Sequence, residues 1–353
     1  MAITATGDVR NGFKARLGQD RPPNDTLTEA RRRTLNALWL AVILLGMSLR
    51  IAIVALPRNQ LRAAWSGGGD AGTYVLLAQN LVQGKGLTYA SQPTALRAPG
   101  YPLLLAGLMW LSAARYVLLV RWFQFALGLG TVYFCSRAST LAFGSRAGRA
   151  SLLIALVFPT LVFITGEVLT ECVGAFLAAV FLFLLVQAVE EPRTAVLAEM
   201  GLLIGAAAIF RFNMAALIFV GVWAAFVERT SRPAWQRAAL LCVFAGVAVC
   251  PWLVRNQIAF HGRVLYSTLS GHDAVEGVLT PQGRAFPGDS KRLEAAEGWG
   301  LEEIETNGPS RLRFPSEADL NRHAWHVAAG LWRQWGWRLL PLALSSLNII
   351  ALR

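Results

Sequence analysis

Long apolar runs constrain this sequence more than any other feature. They lie at 35–56, 116–135, 150–166, 170–189, 196–210, 212–227 and 238–254, with a shorter run at 339–352. A helix needs about 20 apolar residues to cross the hydrocarbon layer, and within lipid a helix satisfies all of its own backbone polar groups. The sequence therefore predicts an all-α, polytopic transmembrane helical bundle of roughly eight spans.

The positive charge follows the ends of these runs. The formal net charge is +12, although only 15% of the residues are charged. Basic clusters precede the first run, follow the second and separate two later ones; they are Arg31, Arg32 and Arg33, then Arg137, Arg146 and Arg149, then Arg229, Arg232 and Arg237. Cytoplasmic loops are enriched in such residues, so the pattern indicates membrane topology instead of nucleic-acid binding. We expect a multi-pass protein of the bacterial cytoplasmic (inner) membrane with a cytoplasmic N-terminus and an interfacial or re-entrant piece at 103–111.

The runs also divide the chain. We expect a cytoplasmic tail at 1–34, a transmembrane domain at 35–256 with an external loop at 57–115, and an external loop or small subdomain at 257–325. The stretch 326–353 is predicted to form an interfacial helix and a last short span. The first apolar run has no small-residue cleavage site after it, which indicates an uncleaved anchor.

The external loop contains the most informative stretch, between Asp70 and Pro102. Asp70 begins an amphipathic run that predicts a helix along the membrane surface, and Gly84 and Gly86 are typical of a helix stop. Arg97 then opens a sharp Ala-Pro-Gly-Tyr-Pro turn. An acid, an arginine and aromatic side chains are thus placed together between apolar segments, as expected for an active-site loop.

A second polar feature interrupts the apolar sequence between residues 150 and 189. Its acids, Glu167 and Glu171, are four residues apart and are predicted to share a helix face at the outer tip of a hairpin. Two close carboxylates at a low-dielectric boundary raise one pKa or attract a cation or hydroxyl donor. The alternative is a solvated hairpin tip, which fits Glu167 better than Glu171.

Further arginines are expected at the same face. Arg211 lies at the turn between two short apolar arms, so we expect this turn to lie below the outer membrane surface. There Arg211 would bind an anion or pair with Glu171 or Asp70. Arg255 and Asn256 form a third outer tip. Arg50, near the outer end of the first run, either snorkels to the interface or contacts a lipid phosphate. His323 and His326 lack a third ligand, and no metal site is predicted.

The chemistry of these residues suits an anionic lipid headgroup. Arginine binds phosphate by charge-assisted, often bidentate hydrogen bonds, and a nearby carboxylate can accept a proton from a hydroxyl. The sequence has no Walker loop and no GxGxxG motif after a strand. A donor activated as a lipid phosphate therefore fits better than a nucleotide.

The order of the motifs resembles a known family. Asp70 with Tyr74, RAPGYP at 97–102, TGEVLTE at 165–171, Phe210-Arg211 and PWLVRN at 251–256 are similar to the membrane-embedded C-type (GT-C) glycosyltransferases. The bacterial members similar to family 39 include protein O-mannosyltransferases related to the dolichyl-phosphate-mannose enzymes, lipid A aminoarabinose transferases and lipopolysaccharide-core sugar transferases. The resemblance covers roughly residues 35–277, and the order of the motifs is more specific than any motif alone.

The resemblance implies an inverting transfer of a sugar from a polyprenyl-phosphate donor to a hydroxyl of a lipid, glycan or protein acceptor at the external face. Asp70 corresponds to the family's first-loop acid, a base or acceptor-orienting group, and Glu171 to a later acid that positions substrate or, in some members, a divalent cation. The resemblance assigns the substrate-binding residues to Arg97, Tyr101, Glu167, Arg211, Arg255 and Asn256. One departure is Ala71, because many relatives have a second acid directly after the first.

Two other functions fit the same residues. A transporter or flippase of an anionic lipid or sugar would use them as a translocation pathway, with charges at the membrane midplane on several spans. A membrane scaffold without catalysis would leave them structural.

Overall fold

The computed structural model describes residues 29–55, 70–89, 91–190, 193–227, 233–270, 317–319, 321–322, 324–326, 328–330 and 333. Helices dominate these residues, which confirms the all-α prediction at the level of fold class. The helices are α1 (Glu29–Ala55), α2 (Asp70–Val82), α3 (Gly100–Leu111), α4 (Tyr116–Phe143), α5 (Ser145–Val157), α6 (Pro159–Phe163), α7 (Glu171–Glu190), α8 (Thr194–Phe210), α9 (Leu217–Val227) and α10 (Ala234–Ala259). A 3₁₀ turn, Phe212–Ala216, precedes α9, and an antiparallel hairpin pairs β1 (Thr88–Tyr89) with β2 (Gln92–Pro93).

Four of the described helices, α1, α4, α7 and α10, are long and apolar enough to cross a membrane. The chain is therefore a membrane protein by the length and composition of its helices. The apolar segments at α3, α8 and 212–227 are shorter. At about 1.5 Å per residue, such segments are shorter than a ~30 Å hydrocarbon layer, so their length alone does not identify them as spans. The eighth predicted span, at 339–352, lies outside the described residues.

The continuous helix predicted for the span at 150–166 is wrong, because the helix breaks there. Helix α5 ends at Val157, Phe158 has extended backbone angles, and α6 begins at Pro159. Proline disfavours a helical conformation of the residue before it and cannot donate the next backbone hydrogen bond. Helix α6 ends at Phe163, and the chain runs on without regular helix until α7 begins.

The helix predicted from Asp70 is confirmed. Helix α2 buries Thr73, Tyr74, Leu77 and Ala78 along one face, as the spacing of its apolar residues requires. Gly84 and Gly86 follow it with φ angles of 73° and 72°, a conformation that costs glycine far less than other residues.

Helix α3 folds back from the loop toward α4. Its first residues are buried, Gly100 and Tyr101 among them, whereas Trp110 near its end is 81% exposed. The short connection at 112–115 lets α4 return beside α3, so Tyr101 lies opposite Gln124 in the third turn of α4. The loop, α3 and α4 thus form one packed unit.

Small residues let α8 approach α10 closely. A Cβ atom on Gly201 would lie 2.4 Å from the Leu241 backbone oxygen, and one on Gly205 would lie 2.4 Å from that of Ala245. Around this contact Leu197, Met200 and Ile204 form an apolar core with α7 and α9. The short helix α8 is therefore held inside the bundle by backbone proximity and apolar packing.

Several helix ends meet at one end of the bundle, which we call the site end. Arg121 near the start of α4 donates to the Val54 backbone oxygen near the end of α1. Arg211, just after α8, contacts Thr170 and Glu171 at the start of α7. Arg255 near the end of α10 reaches the loop that follows α2. The polar motifs of the sequence therefore gather where these helices end.

Candidate functional site

Two buried arginines, Arg50 of α1 and Arg121 of α4, donate hydrogen bonds to the broken segment between α5 and α7. Arg50 is fully buried and donates to the backbone oxygens of Leu161 (3.0 Å) and Ala155 (3.1 Å) and to the Thr165 hydroxyl. Gly128 makes room for it, since a Cβ there would lie 2.8 Å from the guanidinium. Carbonyls released by a helix break must find donors when they are buried. Arg50 thus neither snorkels nor faces lipid phosphate, contrary to both predictions.

Gln124 completes this support from α4. Its amide nitrogen donates to the backbone oxygens of Thr165 (3.1 Å) and Glu167 (2.6 Å), and its oxygen accepts from the Tyr101 hydroxyl at 2.9 Å. Both side chains are fully buried. Tyr101 packs edge-on against Tyr74 at 5.2 Å between ring centroids. A rigid layer of polar and aromatic groups thereby lies beneath the candidate site.

The first half of the site is an ion pair between Asp70 and Arg97. Asp70 begins α2, and its carboxylate binds the Arg97 guanidinium. The Arg97 side chain is 13% exposed, whereas that of Asp70 is 57% exposed. The guanidinium carbon also lies 5.6 Å from the Tyr74 ring centroid, within range of a cation–π interaction. Burial raises the pKa of the Tyr74 phenol, and the nearby Arg97 partly offsets this shift.

The second half is an ion pair between Arg211 and Glu171. Their nearest atoms are 2.9 Å apart. The sequence predicted this pair as one of two partners for Arg211, and the structure confirms it. Gly174, one turn into α7, leaves space for the arginine, because a Cβ there would lie 2.9 Å from the Arg211 Cδ atom.

Thr170 joins the two halves. Its hydroxyl accepts a hydrogen bond from Arg211 at 3.1 Å and shares another with the Tyr74 hydroxyl. The contacts therefore run in one chain from Asp70 to Glu171, through Arg97, Tyr74, Thr170 and Arg211. We call these six residues the ion-pair chain.

The ion-pair chain has capacity for further hydrogen bonds. The Nε atom of Arg97 and the Oε2 atom of Glu171 are buried and make no hydrogen bond within the described structure. Unsatisfied buried polar atoms cost free energy unless a ligand or water pairs with them. One free donor and one free acceptor thus lie on opposite halves of the chain, an arrangement that suits a ligand with an anionic group and hydroxyls.

Glu167 is placed apart from this chain. It lies in the non-helical segment before α7, so the predicted shared helix face with Glu171 is wrong. The helix could not extend there because the carbonyls of 164–167 bond to Gln124 and Arg121. Burial raises the pKa of the Glu167 carboxyl, and Arg121 partly offsets this shift. Its predicted substrate contact stays a prediction.

Arg255 and Asn256 form a separate cluster with the loop after α2. Arg255 donates to the backbone oxygens of Thr94 (2.8 Å) and Leu87 (2.9 Å), and its guanidinium carbon lies 5.2 Å from the Trp252 ring centroid. Asn256 is fully buried, accepts from Arg255 and donates to the Tyr266 backbone oxygen at 3.1 Å. These contacts hold the chain that leads to Arg97, and the predicted substrate contacts of both residues remain untested.

Glu317 joins the same cluster from far along the sequence. Its Oε2 atom accepts hydrogen bonds from the hydroxyls of Thr94 (3.0 Å) and Thr268 (2.9 Å) and a longer one from the Ala95 backbone N–H (3.4 Å). Burial raises the pKa of this carboxyl to about 7, although the hydrogen bonds and Arg255 act in the opposite direction. No motif pointed to Glu317.

The acids of the ion-pair chain do not fit a divalent cation. Asp70 and Glu171 each pair with an arginine. Among the residues that the structure describes, no three His, Cys, Asp or Glu side chains come together. A hard cation needs several oxygen ligands in one place, and these two acids, each held by an arginine, do not supply them.

Sequence reasoning named the four charged residues of the ion-pair chain and missed Gln124, Thr170 and Gly174. Gln124 could have been found, because a buried amide in an apolar run is costly unless it is used. Thr170 and Gly174 gave no such signal, since both residue types are common in membrane helices. Their roles follow only from the contacts they make with Arg211.

The comparisons leave these residues as the guide to function: no family model, curated protein or solved structure matches the chain.

Proposed function

We propose that the chain is a membrane glycosyltransferase that moves a sugar from a polyprenyl-phosphate donor to a hydroxyl of a lipid, glycan or protein acceptor. The observation that carries the proposal is the ion-pair chain. It sets two guanidiniums and two carboxylates side by side at one end of an apolar bundle. Keeping such charges at a membrane boundary is costly unless they serve a function. We place the site at the external face of the bacterial cytoplasmic membrane.

In this proposal the donor phosphate binds between Arg97 and Arg211. Guanidiniums form bidentate hydrogen bonds with phosphate oxygens, and the free Arg97 Nε atom offers a further donor. Asp70 and Glu171 hold the two guanidiniums in position before the donor arrives. Arg255 is assigned to loop structure, because three of its hydrogen bonds go to acceptors within the protein.

The transfer forms one bond and breaks one. The acceptor oxygen attacks the anomeric carbon, and the bond from that carbon to the phosphate oxygen breaks with its electron pair on the phosphate. The acceptor proton passes to the Asp70 carboxylate, while Arg97 and Arg211 stabilise the departing phosphate. Attack opposite the leaving group inverts the anomeric configuration. The buried Glu171 Oε2 atom accepts a hydrogen bond from a sugar hydroxyl and orients the donor.

The test measures transfer from a panel of radiolabelled polyprenyl-phosphate sugars in membranes that contain the wild type or Asp70→Asn. The substitution removes a proton acceptor with little change of shape. We expect a loss of transfer of about 100-fold or more, the range of general base catalysis. Glu199→Gln is the matched control, because this exposed acid lies in the second turn of α8, far from Arg211. It should retain wild-type transfer.

Other outcomes would decide against the proposal. If Asp70→Asn fails to fold, Asp70 is structural and the assignment of the base is wrong. If no donor reacts but labelled lipid or sugar equilibrates across the bilayer in an Asp70-dependent way, the protein is a transporter. If folded protein shows neither activity, the scaffold alternative stands.

A further inference from the structure

Hydrogen bonds to Glu317 hold the loop that carries Arg97, beginning three residues before that arginine. Thr94 and Ala95 are buried, and both donate hydrogen bonds to the Glu317 carboxylate. The next amide, that of Leu96, donates to the Thr94 hydroxyl at 3.1 Å. Every residue from Thr94 to Leu96 is therefore fixed by a hydrogen bond that depends on Glu317 or on its partner Thr94.

The loop is also fastened from two other directions. Arg255 holds the Thr94 and Leu87 backbone oxygens, and the Thr268 backbone N–H donates to the Ala95 oxygen at 3.1 Å. Thr268 in turn donates its hydroxyl to Glu317. Ala318 packs with Ala95, Trp252 and Val264 in an apolar cluster beside these bonds. Glu317 thus connects the loop, the segment after α10 and the 317–319 stretch at one point.

We propose that Glu317 is a positioning residue for the ion-pair chain, whose carboxyl group fixes the Thr94–Leu96 turn and thereby holds Arg97 against Asp70. The contact joins residues 222 positions apart in the sequence, Ala95 and Glu317. It makes the geometry of the site depend on a segment that no sequence motif connects to it. The consequence for transfer rests on the proposed function, whereas the consequence for the loop does not.

The protonation of Glu317 gives the contact a pH dependence. Its carboxyl pKa is raised from 4.5 to about 7, so the docked carboxyl group binds its proton more tightly than a solvated one does. Among the described residues, Arg255 of α10 acts on this carboxyl electrostatically, while Asp319 on the same segment pairs with Arg263. By linkage, docking is strongest at acidic pH and weakens as the pH rises from 4.5 through about 7.

Hydrogen exchange in the full-length protein tests the docking directly. We would measure protection factors of the amides of Thr94, Ala95 and Leu96 between pH 6 and pH 8, together with the KM for the donor. Glu317→Ala should reduce protection about tenfold or more throughout, since it removes the carboxyl oxygen that accepts the hydrogen bonds of Thr94 and Ala95. Glu317→Gln mimics the neutral acid, so its protection should remain high and lose the pH dependence of the wild type. Asp319→Asn, which changes an acid of the same segment that pairs with Arg263 and Arg322, is the matched control.

Each result decides one point. Wild-type protection in Glu317→Ala, or an unchanged pH dependence in Glu317→Gln, overturns the docking role. Lost protection with unchanged KM and kcat in Glu317→Ala overturns the positioning role. Lost protection with a KM raised about tenfold, and rescue by Glu317→Gln, supports it. A wild type that transfers no sugar overturns the proposed function alone, because the exchange data still report on Glu317.

Discussion

Thr170 decides whether the site contains two independent ion pairs or one connected unit. Its single hydroxyl contacts both Arg211 and Tyr74, and the side chain is almost completely buried. A hydrogen bond between buried groups restricts both partners, so the spacing of the two guanidiniums depends on this hydroxyl. Ion pairs between arginine and a carboxylate at exposed surfaces contribute little to stability by themselves. The neutral contact between them is therefore the feature that fixes the geometry.

A double-mutant cycle tests this connection. Tyr74→Phe and Thr170→Val each remove one hydroxyl with little change of shape, and each should lower the free energy of unfolding by about 1 kcal/mol. Since both remove the same hydrogen bond, the double variant should lose less than the sum of the single losses, with a coupling of about 0.5 kcal/mol or more. The measurement is reversible unfolding in detergent.

The control for the cycle is Thr131→Val. Thr131 is also a buried threonine, but its hydroxyl donates within α4 to the Leu127 backbone oxygen at 2.9 Å. Combined with Tyr74→Phe it should give additive losses, because the two residues share no contact partner. Additive losses for Tyr74→Phe with Thr170→Val would instead show that the two halves of the site are independent.

Among the helices, the contact between α8 and α10 sets how the site end is assembled. Helix α8 ends at Phe210, directly before Arg211, and its position depends on the close approach at Gly201 and Gly205. Phe210 also lies against Gly100, where a Cβ would come within 3.0 Å of its ring. The positions of Arg211 and of the start of α3 are thus coupled through one helix end.

Adding a methyl group at this contact should separate the two helices. Gly201→Ala and Gly205→Ala each place a Cβ atom 2.4 Å from a backbone oxygen of α10, which cannot retreat like a side chain. We expect each to lower stability by about 1–3 kcal/mol, as overpacking does, measured by thermal unfolding in detergent. Gly246→Ala is the matched control, since this exposed glycine of α10 has open space around it. Its stability should be unchanged or slightly higher.

The elements that follow local rules could be predicted from the sequence, and those that depend on distant donors could not. Helix α2 was predicted because its acid, apolar spacing and glycine stop are local signals. The break after Val157 was missed, because proline is tolerated within membrane helices and an apolar run looks continuous across it. The prediction that Glu167 and Glu171 share a helix face was wrong because of a distant donor. Once Gln124 takes its carbonyl, Glu167 is no longer on a helix.

The same difference applies to the candidate site. The Arg211–Glu171 pair could be predicted as one of two possibilities, because few charges interrupt the apolar runs. Glu317 could not be predicted, since its contact with Ala95 joins residues far apart in the sequence and follows no helix or strand periodicity. A glutamate in a polar stretch is usually solvated, and nothing in its neighbours indicates burial.

For the whole molecule, the polar contacts divide the bundle into two ends. The site end contains the ion-pair chain and the Arg255 cluster. It also contains Arg50 and Arg121, the arginines that bind the broken segment. The connection between α4 and α5 lies at the other end of α4, next to Arg146 and Arg149 in the first turns of α5. At about 1.5 Å per residue, α4 is long enough to separate these ends by more than a hydrocarbon layer.

Cysteine labelling tests this division. In a chain whose native cysteines Cys135, Cys172, Cys242 and Cys250 are replaced, Lys85→Cys and Arg146→Cys each introduce one exposed thiol. In intact cells a membrane-impermeant maleimide should label position 85, whereas position 146 should react only after the membrane is opened. Labelling of both from the same side would contradict the assignment of the two ends.

The arginines that hold the broken segment have a consequence for how the protein is made. Arg50 and Arg121 lie in α1 and α4, which leave the ribosome before residues 155–166 that supply several of their acceptors. A charged arginine at the centre of a membrane helix costs about 2.5–3.5 kcal/mol to insert, and one nearer a helix end carries part of this cost. These two helices therefore enter the membrane with a cost that is relieved only after the following hairpin has been synthesised. Biogenesis of this protein thus favours helices that wait beside the insertion machinery and are released into lipid together.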